Sequence, residues 1–328
     1  MKAFFHAVGA FVPKKHVSNE ELSREVDTSD DWIYSHTGIK YRYIADENTT
    51  ASDLAINASL NALARTDLSP EKLDLIIVAT STPDYIGYPS TACIVQDKIG
   101  AVNAGAFDIS AACTGFIYGV EIARNFIESK TMKNILVIGS EINSKILDWK
   151  DRNTCVLFGD GAGAAIISAR RENSDSEIIL SSLKSEGSGA DSLLIPAGGS
   201  KEPFRLDKTE YKDLFIQMDG RRVYNFAVRA LCDTILYLLN AKNLSIEDIS
   251  HIVPHQANDR IINAAAKRLK IQKDKFFLNI ENYANTSAAS IPIALCEMDQ
   301  KNLLKRGDYI LTIGFGGGLT YGGNLIRW

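Results

Sequence analysis

Two stretches far apart in the chain carry nearly the same message. Asp67-Leu68-Ser69-Pro70-Glu71-Lys72-Leu73-Asp74-Leu75-Ile76-Ile77-Val78 is echoed by Asn243-Leu244-Ser245-Ile246-Glu247-Asp248-Ile249-Ser250-His251-Ile252-Val253-Pro254, with Ser69 and Ser245 standing 176 positions apart. Each follows a helical stretch and runs into an apolar strand. Further on, the corner Ala106-Phe107-Asp108-Ile109-Ser110-Ala111-Ala112-Cys113 finds a counterpart in Phe277-Leu278-Asn279-Ile280, which leads to Asn285-Thr286-Ser287-Ala288-Ala289-Ser290. Each half then closes with a strand, a glycine-rich turn and another strand, around Gly159-Asp160-Gly161-Ala162-Gly163 and Gly314-Phe315-Gly316-Gly317-Gly318. A repeat of this period implies two similar halves meeting across a pseudo-twofold axis. The expected division is 1–172 and 173–328.

The apolar runs set the class. Residues 73–80 (LDLIIVAT), 134–140 (NILVIGS), 155–158 and 164–168 read as strands, and 52–66, 92–99 and 115–129 as helices. Strands that are apolar continuously, rather than at every second residue, are buried on both faces. The fold class is therefore α/β, with helices sandwiching buried sheets. The polar segment 170–222 breaks the pattern and reads as a linker with a surface excursion.

Composition excludes several classes. With 45% hydrophobic residues, 23% charged residues and a net charge of −4, the chain gives no global case for nucleic acid or anionic membrane as a partner. No apolar run reaches the length of a membrane span. The opening AFFHAVGAFV resembles a signal peptide, but His6 interrupts it and Pro13-Lys14-Lys15 closes it, so it reads as a buried strand. The cysteines (Cys93, Cys113, Cys155, Cys232, Cys296) are odd in number and free of CxxC pairs, which argues against a disulfide framework or a structural zinc site and suits a reducing cytoplasm.

Three reactive side chains fall at equivalent corners. Cys113 stands where a strand gives way to a helix, and unpaired N–H groups and the helix dipole there favour a thiolate. A buried cysteine acting as a small hydrophobe is the other reading, and that stretch alone leaves both open. His255, in Pro254-His255-Gln256-Ala257-Asn258, follows a strand directly, where ligand crevices form in α/β sheets. Taken singly, His255 reads as a structural histidine and Asn285 as a cap or turn residue. Their joint placement favours a site. Neither glycine-rich stretch has GxGxxG spacing, and no P-loop pattern occurs. Close packing suits the first, while packing and anion binding remain open for Gly316-Gly317-Gly318.

With Cys, His and Asn in the contexts SAACTGF, PHQAN and NTSAAS, the chain resembles the β-ketoacyl-acyl-carrier-protein synthase III family of the thiolase fold. The likeness extends over Asp27-Thr28-Ser29-Asp30-Asp31-Trp32-Ile33, Thr37-Gly38-Ile39 and the segment from Gly314 to Thr320. It implies a layered α-β-α-β-α sandwich and a decarboxylative Claisen condensation that needs no metal and no redox cofactor. Cys113 would accept the acyl group of an acyl-CoA primer, acetyl-CoA being the expected one. His255 and Asn285 would hold the malonyl thioester of a malonyl-acyl carrier protein, and the N–H groups of Cys113 and Gly317 would form the oxyanion hole. Trp32 and Arg152 would pack against the coenzyme A nucleotide, with Asn258 near its pantetheine arm and Phe315 lining the site. A homodimer is also implied.

The chain departs from the family pattern in places. His36 stands where many relatives carry an arginine that clasps the adenine with Trp32. Tyr88 stands where relatives place a phenylalanine that reaches into the partner subunit's acyl pocket. Trp149 has no assignable role. Arg260, Lys267, Arg268 and Lys270 lie on a helical stretch after the His255 motif, and either dock an acidic carrier protein or form a solvated face. From residue types alone two other readings stay open: a Cys-His-Asn hydrolase, and a relative recruited to transfer acyl groups in secondary metabolism.

Overall fold

Leu75 to Ala79 is apolar at every position, and all of it is buried. A strand with no polar face must be covered on both sides, and the architecture follows from that demand. The computed structural model describes residues 1–170 and 176–328, so the division expected at 172/173 lies outside the described residues.

The first sheet contains β1 (Lys2–Phe11), β2 (Leu75–Ala79), β3 (Gly105–Ile109), β4 (Asn134–Ile142) and β5 (Asp160–Arg170), in the order β1-β5-β4-β2-β3. The second contains β6 (Glu177–Ser185), β7 (Ile249–Pro254), β8 (Tyr309–Gly316) and β9 (Thr320–Arg327), in the order β6-β9-β8-β7. Four strands of the first sheet have counterparts in the second. β1-β5-β4 and β6-β9-β8 are antiparallel, whereas β4-β2 and β8-β7 are parallel. Where β3 flanks β2, the second half has a single parallel bridge, Ile252 to Phe276.

Helices α1 (Asp30–Thr37), α2 (Ala51–Leu63), α3 (Thr91–Lys98), α4 (Gly115–Glu128), α5 (Gly220–Ala241), α6 (Asp259–Leu269) and α7 (Ser290–Gln300) complete the fold. α4 and α7 lie between the sheets, α2 and α3 cover the outer face of the first, and α5 and α6 that of the second. The main core is the apolar filling between the sheets, with Phe116, Val120, Ile291 and Leu295 from the two central helices. Local chemistry fixes the ends: Thr50 and Asp53 cap α2 reciprocally. Asn258 caps α6, whose Ile261, Ile262, Ala265 and Ala266 face inward.

Three expectations are corrected. Residues 155–158 are not a strand: a short helix, Arg152–Cys155, is followed by Phe158, which makes one bridge to Asn285. The run CVLF signals burial, here against Ile33 and Ile39, but is too short to show a period. Residues 159–163 are not a turn between strands but the start of β5, apart from Gly159. Gly163 serves close packing there, since a Cβ on it would lie 2.7 Å from the Ile293 backbone nitrogen. The segment 170–222 is more than a surface excursion: it supplies β6, the edge strand of the second sheet, and returns Leu193, Ile195 and Ile216 to the interior of a cavity. The opening stretch is the buried strand expected, with Ala3, Phe4, Phe5 and Val8 in the core.

Candidate active site

The equivalent corners at the N-termini of α4 and α7 have the same backbone. Each enters its helix through a short 3-10 turn, Ala112–Thr114 and Ser287–Ala289, and each bends at a non-glycine residue with positive φ, 45° at Ala112 and 50° at Ser287. Such conformations persist only where the surroundings enforce them. Gly139 of β4 is part of that enforcement, because a Cβ there would come within 2.2 Å of the Ala288 carbonyl oxygen. The first sheet thus seats the corner of the second half, and Cys113 and Ser287 meet.

Cys113, His255 and Asn285 are 7%, 1% and 6% exposed and line one cavity of about 180 Å³, together with Phe315 and Asn258. Cys113 also lines a second cavity of about 380 Å³, shared with Ser287, Gly317 and Leu193. Cys113 therefore borders both spaces. Gly316 is pressed against it: a Cβ on Gly316 would lie 2.8 Å from Cys113 Cβ and 2.9 Å from its nitrogen.

Each polar group is oriented by a neighbour. The His255 Nδ1 and Ser290 Oγ atoms are 2.8 Å apart, and the His255 N–H donates to the Ile313 carbonyl at 2.7 Å. The ring meets Phe315 edge to face at 5.3 Å. Burial pushes the imidazole down to about 3, so His255 is neutral at physiological pH. Asn285 Oδ1 accepts from the Ser287 N–H at 2.8 Å, and its main chain is pinned by Leu157 and Gly159. That leaves the Nδ2 end of the amide for the cavity.

The expected thiolate is not favoured. Burial pushes the Cys113 thiol up to about 12; a hydrogen bond to Ser287 pulls the other way, and the Glu141 carboxyl adds repulsion. A helix N-terminus is worth too little to offset full desolvation here.

A second cluster sits beside the smaller cavity. Trp32 and His36, one turn apart on α1, stack at 4.5 Å and 19°, and the Arg152 guanidinium lies 5.3 Å from the Trp32 ring. Asn258 Nδ2 donates to the His36 carbonyl at 3.1 Å, which ties this cluster to the cavity wall. Trp149 donates to the Ser144 carbonyl at 3.1 Å and so braces the loop that presents Arg152.

Comparison with known proteins decides the family. Models of 3-oxoacyl-[acyl-carrier-protein] synthase III and of its C-terminal part match residues 107–187 and 239–328. The chain is 52% identical to the β-ketoacyl-[acyl-carrier-protein] synthase III of Natranaerobius thermophilus, over 98% of each chain. It is likewise 52% identical to the enzyme of that name from Clostridium acetobutylicum, over 98% of this chain and 97% of that one. The crystal structure of 3-oxoacyl-[acyl-carrier-protein] synthase III from Aquifex aeolicus superposes with a TM-score of 0.91 at 45% identity, covering 99% of this chain and 100% of the other. The chain belongs to the β-ketoacyl-[acyl-carrier-protein] synthase III family. It has the thiolase fold and is a condensing enzyme, an acyltransferase of fatty acid biosynthesis. Membership in this family decides against the hydrolase reading.

The remaining sequence-picked residues lie outside the cavities. Tyr88 is 89% exposed on a surface loop with Tyr85 and Ile86. Arg260, Lys267, Arg268 and Lys270 are exposed on or next to α6. Sequence reasoning missed Ser290, Ser287 and Glu141. Ser287 and Ser290 carried a signal in the repeat, since they belong to the counterpart of the Cys113 corner. Glu141 carried none.

Proposed function

We propose that this synthase condenses an acyl-CoA primer, acetyl-CoA first among them, with malonyl-acyl carrier protein, through an acyl thioester on Cys113. The observation that carries the reading is that Cys113 lines two cavities, one of which His255 and Asn285 line with it. One space suits an arriving thioester arm and the other a short acyl chain. Asn258 and Phe315 line the thioester side, with Trp32, His36 and Arg152 as the binding surface for the coenzyme A nucleotide. Coenzyme A is here a substrate, and the chemistry calls for no metal or redox cofactor.

Cys113 attacks the primer thioester, and coenzyme A leaves with the sulfur's proton. The N–H groups of Cys113 and Gly317 take the oxyanion of that step. The malonyl thioester then enters the emptied arm site. Its carbonyl oxygen accepts hydrogen bonds from His255 and Asn285, CO₂ departs, and the negative charge left on the enolate oxygen faces two neutral donors. A carboxylate in either place would repel it. With the Ser290 hydroxyl donating to Nδ1, the proton of neutral His255 sits on Nε2, the ring nitrogen left for the cavity. The enolate carbon then attacks the Cys113 acyl group, the carbon–sulfur bond breaks, and the β-ketoacyl product departs as the Cys113 sulfur keeps the bonding pair and regains a proton from water.

Arg260, Lys267 and Arg268 are the landing site for the acidic carrier, next to the cavity that Asn258 and Ile261 help to form. A homodimer gives exposed Tyr88 a place, as a wall of the partner's acyl pocket. The halves divide at 172/173, and the enzyme works in the cytoplasm. The test is to incubate the protein with acetyl-CoA and malonyl-acyl carrier protein and to follow CO₂ and the carrier-bound product. Release of both in equal amounts supports the reading; free acid without CO₂ contradicts it.

A further inference from the structure

Asn143 follows β4 directly and is 2% exposed, yet it lines the larger of the two cavities that Cys113 borders. Its Nδ2 donates to the Gly159 carbonyl at 2.9 Å, with the Asn285 carbonyl at 3.5 Å on the same side. Two acceptors there settle the orientation of the amide, because only the nitrogen end can donate to them. No donor among the described residues reaches Oδ1, which is therefore left to the cavity. The other polar side chains of the wall differ. The Ser287 hydroxyl donates to Glu141 Oε1 at 2.9 Å, and Thr320 Oγ1 donates to the Ala111 carbonyl at 3.0 Å. Ser81 and Ser110 are solvent-exposed.

The remaining wall is suited to a carbon chain. Ile146, Phe158, Leu193 and Ile216 make it apolar, and no charged side chain among the described residues lines it. An alkyl chain filling this space would strip water from Oδ1 and leave a desolvated acceptor unpaired. A chain bearing a hydroxyl would replace the hydrogen bond that water had made. An ammonium group would find no counter-charge, and a carboxylate would be repelled by the negative end of the amide. The geometry points to Asn143 as a specificity-determining residue: beyond acetyl, the cavity selects a short hydroxyacyl thioester, whose hydroxyl donates to Asn143 Oδ1.

This selection rests on Cys113 being the acyl acceptor, and the experiment separates the two claims. Wild type, Asn143→Leu and Asn143→Ala are each given butyryl-CoA, 2-hydroxybutyryl-CoA or 3-hydroxybutyryl-CoA, with acetyl-CoA as the reference. Timed intact-mass spectrometry reads kcat/KM for acylation. In wild type one of the hydroxylated thioesters should exceed butyryl-CoA by about 10–100-fold, the effect of keeping a buried acceptor paired. Both variants should bring that ratio near one. An Asn143 that merely ties β4 to Gly159 would slow every thioester alike and leave the ratio of the variants at the wild-type value, which overturns the proposal. A wild-type ratio near one overturns it too, as when the Tyr88 hydroxyl of a second copy already occupies the oxygen. Should neither variant fold, the wild-type ratio decides alone. A wild type that takes no acyl group from any of these thioesters, acetyl-CoA included, contradicts the function itself rather than the selection.

Discussion

His255 and Ser290 stand 2.8 Å apart, Nδ1 to Oγ, across the boundary between β7 and the first turn of α7. One hydrogen bond thereby fixes which ring nitrogen is left for the cavity, and burial removes the option of a charged imidazole. The pair holds a neutral imidazole in place, the donor of the proposed reaction.

Removing that donor should split the reaction. His255→Ala is expected to lose malonyl decarboxylation by on the order of 10²–10³-fold, the usual effect of deleting one oxyanion donor. Acylation of Cys113 should persist. Single-turnover acylation and ¹⁴CO₂ release, measured on the same folded sample, check this; loss of both steps together would show that the roles are wrongly separated. Ser290→Ala should weaken decarboxylation in the same direction by a smaller factor.

Gly316 is a second sensitive point. Its absent Cβ would meet the Cys113 backbone nitrogen at 2.9 Å, and backbone cannot step aside cheaply. Gly316→Ala should cost about 1–3 kcal/mol of stability by overpacking and displace the nucleophile. Urea unfolding reads the first effect and acylation rate the second; a variant unchanged in both would mean that the contact relaxes freely.

The nucleotide surface should respond in binding rather than chemistry. Trp32→Ala removes the ring on which His36 stacks and over which Arg152 lies. The KM for acetyl-CoA should rise by about 3–10-fold, the worth of one aromatic stacking contact, with kcat nearly unchanged. A fall in kcat at constant KM would place Trp32 in the chemistry instead.

Glu141 should also leave a mark on stability against pH. Burial raises its carboxyl from the usual 4.5 to about 7. Between those values the folded protein keeps a proton that the unfolded chain has released, so this group's contribution to stability is lost as pH rises through the window. Glu141→Gln lacks the effect. Its stability relative to wild type should therefore improve with rising pH, by about 1.4 kcal/mol per unit between 4.5 and 7. Chemical unfolding at several pH values measures the slope, and parallel curves would show Glu141 to be charged throughout.

Some of this was legible from the residues alone and some was not. The repeat around Ser69 and Ser245 announced matching halves, and the sheets bear out that symmetry down to strand direction. Cys113, His255 and Asn285 stood out because their types and corner positions are chemically informative. Burial is not written in a motif, however, and the thiol's upward shift reverses what the helix end suggested. Glu141 sits inside the apolar run of β4 like any interrupted strand residue, and only its distance to Ser287 reveals it. Leu193 and Ile216 were hidden in a polar segment because the contacts that draw them in, such as the Ile216 N–H to the Ile146 carbonyl, are remote in sequence. Gly161 and Gly163 looked like a turn because glycine marks both turns and close approaches.

The most direct measurement is the mass of the intact protein after brief exposure to acetyl-CoA, followed by peptide mapping. Wild type should gain one acetyl group, carried as a hydroxylamine-sensitive thioester on the peptide containing Cys113, and Cys113→Ser should gain none. An acetyl group on any other residue, or one that survives in the serine variant, would contradict the assignment of Cys113 as the acyl acceptor.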